Sequence, residues 1–510
     1  MLQPLRHARG SRVSRSVAIP PPVGGWNARD ALDQMKAEDA IVLDNWFPAE
    51  NEIVSRRGYA EHCDTGEGAA IESIHEYAGD GSRVLIAGCN GKLLNVSTST
   101  VSSLATGFTE NRWHGTNYKD RLFLVNGTDT PQTYDGSSVA GGGWSGSGLT
   151  DTNLIAVHAH KERLYFIEKN TTNLWYAASA GNVTGTLNKY DVGALGNISG
   201  KLVCMGTITQ DGGDGVDDLF CAITSSGDVA IFQGSNPGDA NAWSLAGIFH
   251  IGAPIDAFST LKVGSDLVVI TRDGFVPLTR VLPFGRSNQT NAISDKIAHA
   301  AQTAVSQYAA NEGWQILLYP AGQQLLFNVP TNSTTRHQYV MNTETQAWCR
   351  YTGINANCWA LFNDSPYFGA ADGVVYEWDT GYDDDGSAIV TDAQTAWNYF
   401  GDRGSLKHFK MARLLLVSDG QPGLVIGFGA DFNTIVPTNT VTTPSDTTSA
   451  VWDEAVWDVA IWGGAETSNV VWQGITGIGY CGQLRARTSN DDRLVRWRSW
   501  TVVYESGGLI

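Results

Sequence analysis

The sequence predicts an all-β fold: a β-propeller of six or seven blades, joined to a β-rich platform built from the N- and C-terminal segments. Three observations carry that prediction. Charged residues make up only 17% of the 510 residues, while glycine numbers 57 and Trp, Tyr and Phe number 17 each. That mixture of turn glycines and large rings suits many short strands joined by tight loops. Second, one apolar pattern keeps returning between residues 70 and 380: a strand, a turn, then a second strand that often ends in an aromatic. Third, sequence character changes after Gly381, where an acidic loop and a Thr/Ser-rich stretch interrupt the strand candidates.

The returning pattern sets the architecture. Its kernels stand at Leu85, Leu122, Leu164, Leu219, Leu267, Leu325 and Phe368, between 37 and 58 residues apart. A spacing near 40 that holds four short strands is the mark of a propeller blade, which buries its two faces by stacking on its neighbours. Asn90-Gly91, Asn126-Gly127, Ser226-Gly227, Asp273-Gly274 and Asp372-Gly373 fall between the paired strands. Asn-Gly and Asp-Gly in such places predict hairpins whose two turn residues take positive φ. Insertions fill the longer gaps: the loop 211–218, and a helix near 292–310 with Ile293, Ile297, Ala301, Ala304, Val305 and Tyr308 on one side. A pair of β-sandwiches or a β-solenoid remains the alternative. The expected divisions are a basic arm over 1–25, the first part of the platform over 26–65, the propeller over 66–381 and the rest of the platform over 382–510.

Charge narrows the partners. The net charge is −18, which repels phosphate and argues against a sequence-reading nucleic-acid binder. It suits a wall past which DNA slides without sticking. The loops holding Asp211, Asp214, Asp217 and Asp218, and Asp383, Asp384 and Asp385, are the first candidates for such a wall. The same loops read equally as solvated outer turns. Before Asp30 there is no acidic residue, but Arg6, Arg9, Arg12 and Arg15 are present; they are candidate contacts to an acidic neighbour. No run of 18 apolar residues and no signal peptide is evident, so neither a membrane span nor secretion is expected. The seven cysteines are widely spaced, several inside apolar runs, and read as reduced core thiols made in a cytosol.

Catalytic motifs are not evident: there is no P-loop, GxSxG, HExxH or GxGxxG. His158 and His160 share one side of a strand, a pair that suits satisfied histidines better than a metal site, for which no third ligand is identifiable. Asp383 to Asp385 lack the alternation and closing Glu of a calcium loop. No metal, cofactor or catalytic residue is therefore expected. A propeller glycosidase needs paired carboxylates, which an acidic chain does not exclude, but the sialidase Ser-x-Asp-x-Gly-x-x-Trp box is absent. Trp452, Trp457 and Trp462 recur every five residues, as buried loop anchors or as an exposed contact tip.

The segment Gly24-Gly25-Trp26-Asn27-Ala28-Arg29-Asp30, with Met35, Asp39-Ala40, Leu43-Asp44-Asn45-Trp46-Phe47-Pro48 and Arg57-Gly58-Tyr59, resembles the opening of podophage tail structural proteins. These are variously called tail tubular protein B, tail hub or nozzle. Shorter echoes are Ala292-Ile293-Ser294-Asp295-Lys296-Ile297, Lys407-His408-Phe409 and Tyr504-Glu505-Ser506-Gly507-Gly508. The resemblance implies a structural, non-enzymatic virion protein, made in the host cytoplasm and carried in the tail. It implies a hexameric ring beneath the portal and its adaptor that continues the double-stranded DNA channel, retains the genome and anchors fibres or spikes. Propellers of that family are usually six-bladed, whereas the kernels here number seven. A receptor- or glycan-binding propeller is the alternative from another functional class, and a propeller glycosidase the third.

Overall fold

The computed structural model describes residues 14–211, 216–281, 292–418, 422–441 and 467–507. The chain divides into two compact units, one formed by 58–344 with 351–381 and the other by 1–57, 345–350 and 382–510. The first is a β-propeller of seven blades. Its innermost strands are Ile71–Gly79, His114–Asn117, Leu154–His160, Leu202–Asp211, Thr260–Val263, Gln315–Tyr319 and Cys358–Phe362. Each lies beside the next, and the seventh lies beside the first, so the ring closes. All seven kernels fall in second strands, from Leu85 in Ser82–Cys89 to Phe368 in Ser365–Gly369. Their apolar runs are fully buried because both faces of a second strand meet a neighbouring blade. Seven blades thus replace the six that the family resemblance implied.

The cores lie between blades. Tyr165, Tyr176 and Leu174 of blade 3 pack with Phe220, Phe232 and Trp243 of blade 4, and Trp243 stacks on Phe232 at 4.9 Å. Leu85 and Ala87 of blade 1 pack with Cys358, Tyr367 and Val375 of blade 7. Closure uses a strand from far upstream: Tyr59–Asp64 pairs antiparallel with Val374–Trp378 and becomes the outer strand of blade 7. This corrects the expected boundary, since 26–65 is split between the two units. A propeller stapled by its own first strand resists opening at the seam, because the ladder there joins residues some three hundred positions apart.

Turn chemistry differs from expectation in an informative way. Asn90 and Gly91 take φ of 48° and 69°, the left-handed pair a type I′ hairpin requires. At Asn126-Gly127, Ser226-Gly227, Asp273-Gly274 and Asp372-Gly373 only the glycine is left-handed. There a side chain closes the turn instead: Thr224 Oγ1 accepts from Asp228 N at 3.1 Å, and Asp372 Oδ1 from Val374 N at 3.0 Å. Conversely, Lys119-Asp120, Lys161-Glu162 and Asn363-Asp364 form left-handed pairs between first and second strands with no glycine. Blade 5 has three strands, Thr260–Val263, Asp266–Thr271 and Gly274–Pro277, and the helix Ala298–Tyr308 packs on the last of them. The helix buries Ala301, Ala304 and Val305 as its pattern predicts.

The second unit is a platform of two sheets assembled from distant segments. In one, Arg496–Ser506 pairs with Lys407–Ser418 along one edge and with Ser14–Ile19 and Ile53–Ser55 along the other. In the other, Ser387–Thr395 lies between Asp39–Asp44 and Gly482–Asn490, which in turn pairs with Val425–Ala430. Residues 14–19 are therefore platform strand, not free arm. All seven cysteines are buried. No described helix is long and apolar enough to cross a membrane.

Candidate functional site

Repetition of the blade brings the starts of all inner strands to one face of the propeller. That face gathers chemistry from residues far apart in sequence. Glu72 opens the inner strand of blade 1, and Arg112 stands just before that of blade 2. Asp256 and Phe258 precede blade 5, Glu312 and Gly313 precede blade 6, and Asn357 precedes blade 7. Arg336 opens the third strand of blade 6.

Arg112 joins loops of two blades. Its Nη2 donates to Asp256 Oδ2 at 2.8 Å, and the guanidinium lies 4.2 Å from the centre of the Phe258 ring. Loops from blades 2 and 5, which are not neighbours in the ring, are thus tied together at this face. Beside this tie lies a cavity of about 140 Å³ lined by Glu72, Arg112, Glu312, Gly313, Ser333, Arg336 and Asn357, with Ala70 and Ala371. Burial pushes the Glu72 carboxyl above its ordinary value, and the nearby Glu110 and Glu312 carboxylates push it further the same way. Two loops that line the cavity are fixed from beneath. Asn328, fully buried, donates from Nδ2 to Gly313 O at 2.7 Å and to Ala356 O at 2.9 Å. Gln338 Nε2 in turn donates to Asn328 Oδ1 at 2.9 Å.

Arg336 is the unusual member. It is only 7% exposed, yet no carboxylate lies within ion-pair distance of it among the described residues. Its Nη1 donates to Asn332 O at 2.9 Å and its Nη2 to Asn357 Oδ1 at 2.8 Å, while Nε has no partner. Burial pulls its pKa below the usual arginine value, with no counter-ion to offset the cost.

The residues singled out in the sequence lie elsewhere. His158 Nε2 and His160 Nδ1 both hydrogen-bond one hydroxyl, Thr207 Oγ1, each at 2.9 Å, joining the inner strands of blades 3 and 4. His75 Nε2 bonds Trp113 O at 2.8 Å, and His114 Nδ1 accepts from Val157 N at 3.4 Å, so histidines fasten blade 1 to 2 and blade 2 to 3. Burial holds His75, His158 and His160 at about 4 and His114 at about 3. Among the described residues, no group of three His, Cys, Asp or Glu side chains is placed to hold a metal.

The acidic candidates divide. Asp384 is a buried framework residue, and this corrects its reading as a wall carboxylate in a solvated turn. Its two oxygens accept from Arg56 Nη1 and Nη2 at 2.7 and 2.6 Å, in a pair whose arginine side chain is 1% exposed. Asp383 Oδ1 closes the turn by accepting from Gly386 N at 2.8 Å, and Asp385 is exposed. Asp218 is half exposed, accepts from Thr209 Oγ1 at 2.5 Å and stands 3.8 Å from Lys262 Nζ. Asp214 and the side chains of Asp211 and Asp217 lie outside the described residues, as do Arg6, Arg9, Arg12, Trp452, Trp457 and Trp462. Arg15 is exposed on the strand Ser14–Ile19, paired with Tyr504.

The mouth was not legible in the sequence. Its members stand up to 285 positions apart and form no motif. The one signal that locates them is position: most stand at or just before the first strand of a blade.

No protein-family model matches the chain, and no curated protein matches it. Among solved structures, YCF48 bound to D1 peptide aligns at 10% identity and TM-score 0.39, over 68% of this chain and 99% of that one. Sqt1 of Saccharomyces cerevisiae aligns at 8% and 0.36, over 63% and 99%. The computationally designed Ika8 protein aligns at 9% and 0.35, over 62% and 99%. At these scores the propeller assignment rests on the closed ring of seven blades described above.

Proposed function

We propose that the chain is a structural, non-enzymatic subunit of the tail nozzle of a short-tailed bacteriophage. In this reading copies assemble as a hexameric ring beneath the portal and adaptor, continue the DNA channel and carry fibres or spikes outside. The observation that carries it is where most of the resembling residues stand: apart from Gly58-Tyr59 and 292–297, which belong to the propeller, they are part of the platform's framework. Gly25 takes φ of +83°, and a Cβ there would meet Trp348 N and O at 2.6 Å, so only glycine fits. Trp26 lies beneath the Arg350 guanidinium, which forms a bidentate pair with Asp44 at 2.8 and 2.6 Å. Asn27 bridges Asp30 and Asp39, each at 2.9 Å. Asn45, left-handed at φ 58°, accepts from Arg56 Nε at 2.9 Å. Buried Lys407 donates to Ser405 O at 3.0 Å and Tyr480 O at 2.9 Å. Short motifs used for framework rather than for chemistry agree with a scaffold.

Two physical features support a conduit formed between copies. The Arg112–Asp256 pair ties two non-neighbouring blades together at the mouth, which favours a path for DNA along a wall shared by several subunits. The net charge of −18 would keep that wall repulsive to a duplex over about 8 Å at physiological salt. Of the acidic candidates, Asp218, Asp383 and Asp385 retain exposure suited to this role. Electron microscopy of the purified chain and mass spectrometry of virions test the proposal. A sixfold ring and a tail-located virion protein are expected. A monomer at high concentration that is also missing from virions would end the reading.

A further inference from the structure

The mouth cavity is a built site with an unmet charge, and that mismatch identifies what it takes. Leaving a guanidinium without a counter-ion, in a residue only 7% exposed, is costly unless something arrives to pair with it. The same cavity presents carboxyl groups from Glu72 and Glu312, the amide of Asn357 and the hydroxyl of Ser333. A bare inorganic anion would satisfy Arg336 but face those carboxylates. A neutral sugar would satisfy the carboxylates but leave Arg336 unpaired. A peptide carboxylate would need a pocket for its side chain, and the non-polar part of the lining is only Ala70, Gly313 and Ala371. The volume of about 140 Å³ is several times the roughly 10–15 Å³ that a single water needs, room for one ring-sized group.

We propose that the cavity at the propeller mouth binds a single sugar-acid residue, a pyranose bearing a carboxylate, such as the terminal unit of an acidic polysaccharide. Arg336 pairs with the carboxylate. Glu72, Glu312 and Asn357 take the ring hydroxyls, and Ser333 stands at the exposed rim. Asn328 fixes Gly313 and the loop before Asn357, so the site is preorganised. This inference is independent of the ring: a monomer would carry the same site.

The test is saturation-transfer NMR and calorimetry on the full chain with D-glucuronic acid and N-acetylneuraminic acid, against glucose, acetate and glycine. At least one sugar acid should bind one-to-one, with glucose weaker by roughly tenfold or more because Arg336 is then left unpaired. Arg336→Gln should weaken the acid by at least that factor while leaving glucose unchanged. Should that variant unfold, Ser333→Trp fills the cavity from its exposed rim without touching the buried amides, and should also abolish binding. The proposal fails if neither acid binds the native chain, if glycine or acetate binds as tightly, or if binding survives the folded variants. Ring assembly, read separately by microscopy, is expected to be the same in all of them.

Discussion

The two units of this chain solve one problem, holding β-sheets together, in opposite ways. In the propeller, strands that pair are mostly neighbours in sequence, and the blades are held by apolar layers such as Tyr165, Phe220 and Trp243. In the platform, strands that pair are far apart, with Ser14 opposite Glu505. Its framework includes buried or half-buried cations on defined oxygens: Arg56 on Asp384, Arg350 on Asp44, Arg485 on Asp392 and Lys407 on backbone carbonyls. Apolar layers tolerate sequence change as long as volume is kept. A buried ion pair does not, because either partner alone is an uncompensated charge. The difference teaches why most of the short motifs fall in the platform, with 292–297 and Gly58-Tyr59 outside it, while the blades repeat only as a pattern.

The largest expected effect tests that contrast directly. Asp384→Ala should cost about 3–5 kcal/mol, since Arg56 is left buried without its partner. In a chemical denaturation followed by two probes, the platform transition should shift while the blade transition holds its midpoint. If both shift together, the two units unfold as one and the comparison breaks. The double variant Arg56→Met with Asp384→Leu should recover most of the loss, sharpening the case that the charge, not the shape, is at stake.

Acid should act on the propeller next. His75, His114, His158 and His160 have folded pKa values of about 3 to 4, below the unfolded value of about 6.5. The unfolded chain binds more protons between those limits. The stability they secure is therefore fully present above about pH 6.5 and is lost as pH falls toward 4. Lys161 and Lys262 beside His158 and His160, and Arg112 beside His114, oppose protonation, while Asp218 favours it. His158→Gln with His160→Gln should flatten this part of the pH dependence, read by thermal melts from pH 7 to 4. An unchanged slope would show that these clasps do not control acid sensitivity.

The smallest effect concerns a single turn. Glu162 is left-handed at φ 60° without being glycine. Glu162→Gly should change stability by no more than about 1 kcal/mol in the favourable direction, strain relief outweighing the entropy of glycine. A loss in melting temperature would mean that the side chain matters more than the backbone there.

Much of the propeller is legible in the sequence. Period, apolar runs and turn residues are local properties, and blades are built from local pairings, so every kernel from Leu85 to Phe368 falls in a second strand. The same locality made the helix Ala298–Tyr308 visible through its buried alanines. The type I′ turns at Lys119-Asp120 and Lys161-Glu162 were not visible, because nothing in those pairs announces positive φ.

What the tertiary structure alone decided depends on residues far apart. Tyr59–Asp64 reads as one more strand, and only its pairing with Val374–Trp378 makes it the seal of the ring. Asp384 reads as the middle of an acidic turn, and only the approach of Arg56, 328 positions upstream, makes it buried framework. Arg336 and Glu72 carry no motif at all; closure of a seven-bladed ring sets them around one cavity. Composition and periodicity determine what each segment forms by itself. Which charges meet, and which are left without a partner, is settled only when the segments are brought together.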